Sequence, residues 1–256
     1  MAFRRPHFDK TNKEPASRVF RFLAHLARNL VPFIARTSWS GGEHIPREGG
    51  AIVVANHISN FDPITLGEFL IWQGRWPRFL GKADIWKVPV LGWVARKCGQ
   101  IPVYRGTDRA GESLVHAREA LEAGNLVAIY PEGTITADPD GWPMSGRRGA
   151  AQLALTTGAP VIPVVQNGAD QVLGGKKIEV RRLFGRRKDI TIVAGPPIDL
   201  SRFAGQEPTK ELLDSVTTLL LDTLTSMRAT LIGEPAPEGR YDMRQGRRLP
   251  ITRRDQ

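Results

Sequence analysis

Between residues 37 and 205, short apolar runs alternate with stretches of helical period, and this alternation constrains the chain more than any other feature. Ala51-Ile52-Val53-Val54-Ala55 has the length and β-branched content of a buried strand. Similar runs place strands near 37–40, 78–82, 100–104, 126–130 and 160–165, then near 177–182 and 190–194. Helical patterns fall between them, near 63–72, 86–97, 108–123 and 147–157. Strands separated by helices predict an α/β fold: a largely parallel sheet flanked by helices. The last two strands have no helix between them, which predicts an antiparallel pair at that end. Pro160 and Pro163 argue against a central, fully paired position for their strand. Asp62-Pro63 is a helix start, with Asp as the cap and Pro in the first turn.

The flanking regions differ in character. Residues 17–36 read as an amphipathic helix, with Val19, Phe22, Leu23, Leu26 and Leu30 on one stripe and Arg18, Arg21 and Arg28 off it. Pro32 is expected to kink or end that helix. Two uses fit the stripe: packing on the helix's own domain, or lying in a membrane interface with the arginines at anionic headgroups. Residues 208–231 read as one long helix, with Leu212, Leu213, Val216, Leu219, Leu220, Leu224, Met227 and Leu231 on its buried stripe. Gly233-Glu234-Pro235-Ala236-Pro237 ends it, and the arginine-rich remainder reads as a flexible tail. The expected organisation is therefore a basic N-terminal segment over 1–36, an α/β domain over 37–232 and a basic tail over 233–256.

Thirty-six basic residues against 26 acidic give a net charge of +10, which favours an anionic partner. The single cysteine, Cys98, excludes an internal disulfide and any multi-cysteine metal site, and makes a cytosol-facing location the expectation. No stretch has the ~18 uninterrupted apolar residues of a spanning helix, and the N-terminus lacks the features of a signal peptide. Nucleic-acid binding is disfavoured because the basic clusters at 181–188 and 240–254 contain only Phe184 and Tyr241 as aromatics for base stacking.

Chemistry concentrates where strands end. His57 and Asp62 lie five residues apart directly after the 51–55 strand, at the edge where α/β proteins keep their sites. A carboxylate beside a histidine fixes its tautomer and stabilises the imidazolium formed when the ring takes a proton. Tyr130-Pro131-Glu132-Gly133-Thr134 follows another strand, where Glu132 adds a carboxylate and Gly133 allows close backbone approach. Gly99-Gln100-Ile101-Pro102-Val103-Tyr104-Arg105 ends a third with an arginine suited to phosphate. Lys82 ends a fourth, either as a further cation of the site or as a solvated surface lysine. Asp138 and Asp140 resemble a fragment of a calcium loop, but the glutamate of its twelfth position is missing, so 138–144 reads as a turn.

Taken together and in order, these segments resemble the four sequence blocks of the glycerophospholipid acyltransferase family, which includes the 1-acylglycerol-3-phosphate (lysophosphatidic acid) acyltransferases. The first block is Asn56-His57-x-x-x-x-Asp62, the second Gly99 to Arg105, the third Tyr130-Pro131-Glu132-Gly133-Thr134-Ile135-Thr136, and the fourth the run around Pro163. The resemblance spans roughly 35–200 and neither terminus. It departs at Ile135, where the family commonly carries arginine; Arg147 and Arg148, just before a helix start that itself favours anions, are the candidate replacements.

The resemblance implies the glycerolipid acyltransferase fold and acyl transfer from acyl-CoA or acyl-carrier protein to the free hydroxyl of 1-acylglycerol-3-phosphate, giving phosphatidic acid. His57 would act as general base and Asp62 would orient it. Asn56, Lys82, Arg105, Glu132, Gly133, Thr134, Arg147 and Arg148 would bind substrate. Neither metal nor cofactor is implied. The implied partners are an anionic membrane surface, a lysophospholipid acceptor and the acyl donor, with no nucleic acid, and the implied place is peripheral, on the cytoplasmic face of a membrane. Another lysophospholipid or a glycolipid as acceptor is the alternative that Ile135 keeps open, and a hydrolase using water is a third. Trp72, Trp76, Trp86 and Trp93 suit either a membrane interface or ordinary core packing. Arg181, Arg182, Arg186, Arg187 and Lys188 suit headgroups, the phosphates of CoA or a plain solvated hairpin.

Overall fold

A computed structural model describes residues 7–104 and 111–251. Seven strands form the main sheet: β1 (Ala35–Ser40), β2 (Ala51–Ala55), β3 (Pro77–Lys82), β4 (Ile101–Val103), β5 (Leu126–Ile129), β6 (Val161–Asn167) and β7 (Lys188–Ala194). Their order is β1-β7-β6-β2-β5-β3-β4. All neighbours are parallel except β6 and β7, so the sheet is largely parallel. Every residue of β2 and of β5 is buried, which is why both read as unbroken apolar runs.

Alternation of side chains along the strands builds two cores. Val53, Ala55, Leu126, Ala128 and Ile162 point to one face, where Leu66, Phe69 and Leu70 of α2 (Asp62–Trp72) meet them. Ile52, Val54, Val127 and Ile129 point to the other, against α4 (Glu112–Glu122), α5 (Gly149–Thr157) and α7 (Lys210–Ile232). The remaining helices are α1 (Arg18–Ile34), α3 (Pro89–Lys97) and the short α6 (Asp170–Leu173).

Several local expectations are corrected. No strand forms at 177–182; Val180–Leu183 is a single 3₁₀ turn, and the antiparallel partner of β7 is β6. The strand β6 is central despite its prolines. Its ladder with β7 starts only at Val164, and the Pro163 carbonyl still accepts from the Gly195 amide at 2.8 Å. In the alternation of a parallel ladder the missing N–H of Pro163 faces away from β2, so the proline costs no rung there. Helix α1 runs past Pro32 to Ile34 rather than ending at it. The expected 86–97 helix divides at Val88, with a 3₁₀ segment Ala83–Lys87 before α3. Phe61 is the cap of α2, and Asp62 opens its first turn with its carboxylate turned elsewhere. The stretch expected as a flexible tail carries a two-stranded hairpin, β8 (Arg240–Asp242) and β9 (Arg247–Leu249).

The topology fixes one fact that matters below. Strands β1 and β7 run opposite to the other five. The end of α1 and the 174–187 segment therefore lie at the same sheet edge as the last residues of β2, β3, β4 and β5.

Candidate active site

At that edge the chain leaving β2 wraps around one carboxylate. Asp62 is fully buried, and its Oδ2 accepts from His57 Nδ1 at 2.8 Å, Ile58 N at 2.6 Å and Ser59 N at 2.8 Å. The two amides can only donate, so Oδ2 is an acceptor and His57 presents Nδ1–H to it. The lone pair of the ring is thus on Nε2. The His57 side chain is 15% exposed and lines a cavity of about 700 Å³. Burial raises the Asp62 carboxyl from its ordinary range; the His57 bond and charge and the two amides pull it the other way. The ring of Tyr130 stacks on His57 at 4.0 Å and 15°, closing one face of the imidazole. An imidazole held by a buried acid, with its other nitrogen toward a cavity, is equipped to take a proton from a bound hydroxyl.

The remaining sequence candidates separate clearly. Gly133, Thr134, Lys82 and Arg147 line the same cavity as His57. Gly133 has φ +72°, and a Cβ there would fall 2.9 Å from Arg147 Cδ and Nε, so the arginine stem crosses directly over the glycine. Lys82 pairs with Asp84 at 2.6 Å at the cavity's exposed side. Arg105 lies outside the described residues. Ile135 is buried and forms part of the cavity wall.

Three candidates hold the protein rather than face the cavity. Asn56 is fully buried, and its amide exchanges two hydrogen bonds with the Gln166 main chain (Nδ2 to O 2.9 Å, N to Oδ1 2.8 Å), tying the end of β2 to β6. Arg148 points to the surface and pairs with Asp214 of α7. Glu132 is 3% exposed; its Oε1 accepts from His57 N and its Oε2 from Met144 N, both at 3.0 Å. None of the three lines the cavity, and the bonds named for each are made within the chain. Asp138 and Asp140 close a turn and pair with Arg248. Among the described residues no group of three or more His, Cys, Asp or Glu is arranged to hold a metal ion. Sequence reading missed Gln166 and the stacking role of Tyr130; a glutamine at a strand end carries no signal of its own, whereas an aromatic directly before Pro131-Glu132 was visible without its partner.

With this geometry in place, the comparisons with known proteins have a site to speak to. An acyltransferase family model matches residues 36–167, and the chain belongs to that family. A 1-acyl-sn-glycerol-3-phosphate acyltransferase of Bacillus subtilis is 25% identical over 204 residues, 79% of this chain and 93% of that one. A chloroplastic 1-acyl-sn-glycerol-3-phosphate acyltransferase of Brassica napus is 30% identical over 147 residues, 57% of this chain and 41% of that protein; the corresponding protein of Arabidopsis thaliana is matched over 44% of its length. The chain thus spans less than half the length of the plant relatives. The crystal structure of the 1-acyl-sn-glycerophosphate acyltransferase PlsC from Thermotoga maritima superposes with a TM-score of 0.59, covering 82% of this chain and 80% of that one at 23% identity, which shows the shared fold.

Glu132 supplies a prediction about stability. Burial pushes its carboxyl up to about 8, against the two amide bonds that lower it. Between the ordinary value of 4.5 and 8 the folded protein binds a proton that the unfolded chain releases, so this residue's contribution to stability falls as pH rises through that window. The difference in unfolding free energy, wild type minus Glu132→Gln, is expected to decrease from pH 5 to pH 8 in denaturant titrations. A difference that stays level or grows over the window contradicts the assignment.

Proposed function

We propose that the protein is a glycerolipid acyltransferase that moves a fatty acyl group from a thioester, acyl-CoA or acyl-carrier protein, to the free hydroxyl of 1-acylglycerol-3-phosphate, forming phosphatidic acid. The observation that carries this reading is the buried Asp62–His57 pair with Nε2 turned to the cavity, in a chain whose family is acyltransferase and whose relatives bear that activity in their names. Nε2 of His57 takes the proton as the acceptor oxygen bonds to the thioester carbonyl carbon. The tetrahedral intermediate collapses by breaking the C–S bond, and the departing thiolate receives the proton from the imidazolium. Asp62 offsets the positive charge while it exists. Base, thioester and alcohol balance without a resident cofactor or metal.

The acceptor phosphate is assigned to Arg147. It crosses Gly133 beside the third block, where Ile135 stands in place of the family's usual arginine, and it lines the cavity with His57. Lys82 is the second cation of that wall and Arg105 remains a candidate through its block alone. The apolar character of Ile135, buried in the same wall, favours a second reading in which the acceptor is another lysophospholipid or a glycolipid.

Membrane attachment is assigned to the cytoplasmic, peripheral face. Phe22, Leu26, Leu30 and Phe33 stand exposed along α1, Phe33 at 79%, and α3 beside it exposes Val90, Leu91 and Trp93. No described helix is long and apolar enough to cross a bilayer. The α1 end, the basic 181–188 segment and the cavity share one sheet edge, so lipid-borne substrate and anionic headgroups would meet the same side of the molecule.

Four measurements test this reading. Purified protein with lysophosphatidic acid and a radiolabelled acyl thioester is expected to yield labelled phosphatidic acid; label appearing only in another lipid supports the second reading, and label only in free fatty acid supports a hydrolase. His57→Ala is expected to lose about 10²–10⁴-fold in turnover with the circular dichroism spectrum kept; near wild-type turnover removes the mechanism. Arg147→Ala should raise KM for lysophosphatidic acid by about tenfold or more, as loss of a charged hydrogen bond predicts, with kcat little changed; an unchanged KM places the phosphate elsewhere. Phe22→Ser/Phe33→Ser should sediment less with phosphatidylglycerol vesicles than wild type, and equal sedimentation contradicts an interfacial α1.

A further inference from the structure

The main chain of His57 is gripped from both sides by one segment. Its N–H donates to Glu132, and its carbonyl accepts from the Thr136 amide at 2.7 Å. Glu132 is in turn completed by the Met144 amide at 3.0 Å. Residues 130–148 contain neither helix nor strand, so this segment does not hold itself in place by a backbone ladder. A long irregular stretch keeps one shape only where other parts of the fold pin it.

The pins come from the C-terminal part of the chain. Arg248 of β9 makes a two-pronged pair with Asp138, Nε to Oδ2 and Nη2 to Oδ1 both at 2.8 Å, and Nη2 also reaches Asp140 Oδ2 at 2.8 Å. The Asp138 side chain is 1% exposed, so this contact is not a solvated surface pair. Asp138 Oδ1 also accepts from the Asp140 amide, which fixes the turn. The Ser145 amide donates to the Tyr241 carbonyl of β8 at 2.9 Å. Arg228 of α7 spans Asn167 Oδ1 and the Asp140 carbonyl, each at 3.2 Å. None of Arg228, Tyr241 and Arg248 lies within the 36–167 span that matches the family.

We propose that the β8–β9 hairpin is a brace for the reaction site: Arg248, through Asp138 and the 132–144 segment, is a positioning residue that sets where the His57 imidazole sits. It touches neither substrate nor the reacting atoms. Loss of Arg248 leaves Asp138 its turn bond and Ser145 its bond to the Tyr241 carbonyl, but removes the ionic hold of the hairpin on 138–140, and the two hydrogen bonds that clamp the His57 peptide then loosen together. Near-attack geometry is lost more than phosphate binding, because Arg147 lies outside the 132–144 stretch and its amide keeps its bond to the Pro131 carbonyl. The proposal rests on the acyltransferase reading for its kinetic arm and on the structure alone for its exchange arm.

The test compares the full chain with Arg248→Ala, Arg248→Lys, Arg248→Ala/Glu132→Gln and, as a control, Arg247→Ala, whose exposed side chain lies on the same hairpin. With lysophosphatidic acid and acyl-CoA, Arg248→Ala is expected to lower kcat about tenfold or more while both KM values stay within about twofold, since small misplacements of a reacting group cost rate. Arg248→Lys should recover part of the loss, and the double variant should be no slower than Glu132→Gln, because the two act along one path. Arg247→Ala should match wild type. In hydrogen exchange, Arg248→Ala should speed exchange over 133–146 and leave 51–55 and 126–129 unchanged. The brace is overturned by a kcat within about twofold of wild type, by a change in KM alone or by losses that add in the double variant. Faster exchange spreading into those strands also overturns it. Should the wild type transfer acyl groups to no acceptor, the functional reading fails, and unchanged exchange over 133–146 in Arg248→Ala still refutes the brace by itself.

Discussion

The site is built around two carboxylates removed from water, whose oxygens collect donors from the chain except for Asp62 Oδ1, which has no hydrogen-bond partner among the described residues. Leaving such a group short of a partner costs about 3–5 kcal/mol once its counterpart is gone, so the backbone around it has little freedom. Asp62 draws the His57 ring and the Ile58 and Ser59 amides onto a single oxygen. That demand shapes the turn between β2 and α2, which in turn aims the imidazole at the cavity. Glu132 does the same across the sheet, joining the end of β2 to the loop after β5 through His57 N and Met144 N. The geometry at His57 thus follows from the donors that these two buried acids collect.

These two acids divide the work by what surrounds them. Asp62 meets the imidazole side chain, so its charge can answer the proton that the ring gains. Glu132 meets main-chain amides and the Thr136 side chain rather than the imidazole, and burial drives its carboxyl up to about 8. A group that is hard to ionise yet surrounded by N–H donors is poorly suited to binding a sugar or glycerol hydroxyl. It is well suited to tying a loop to a strand, because both of its oxygens are consumed by the loop and the strand.

The first-block spacing was legible because five residues suffice to turn the chain from the strand end into the first turn of α2, bringing acid back to imidazole. The sheet was legible because β2, β5 and β6 are buried on both faces and read as plain apolar runs. Three candidate residues bond within the protein, two from the blocks and one from the basic pair before α5: a sequence pattern records that a residue is there, not which way it points. Asn56 and Glu132 point into the protein and Arg148 toward Asp214. The central place of β6 was hidden because a proline offends only the side on which its N–H is required, and the β7 ladder begins one residue later. The hairpin at 240–249 was hidden because its sequence is polar and its hold on the domain is ionic and hydrogen-bonded, and neither leaves the periodic apolar signature that sequence reading follows.

Over the described residues the basic C-terminal segment is tied to the domain by ion pairs and a hairpin. Arg240 and Arg248 both find acids on the domain, Asp222 at 2.6 Å and Asp138 at 2.8 Å, and Arg228 lies over the Trp142 ring at 5.3 Å. The Arg240 and Asp138 side chains are largely shielded from water, so salt screens these contacts less than it would surface pairs. The exposed basic segment at 181–188 is different: of its arginines only Arg182 has an acid beside it, Glu179, and Arg187 reaches a backbone carbonyl of α1. The arginines paired with acids cancel charge inside the fold and hold the loop that holds His57, whereas the 181–188 segment stands largely exposed at the sheet edge that His57 also occupies.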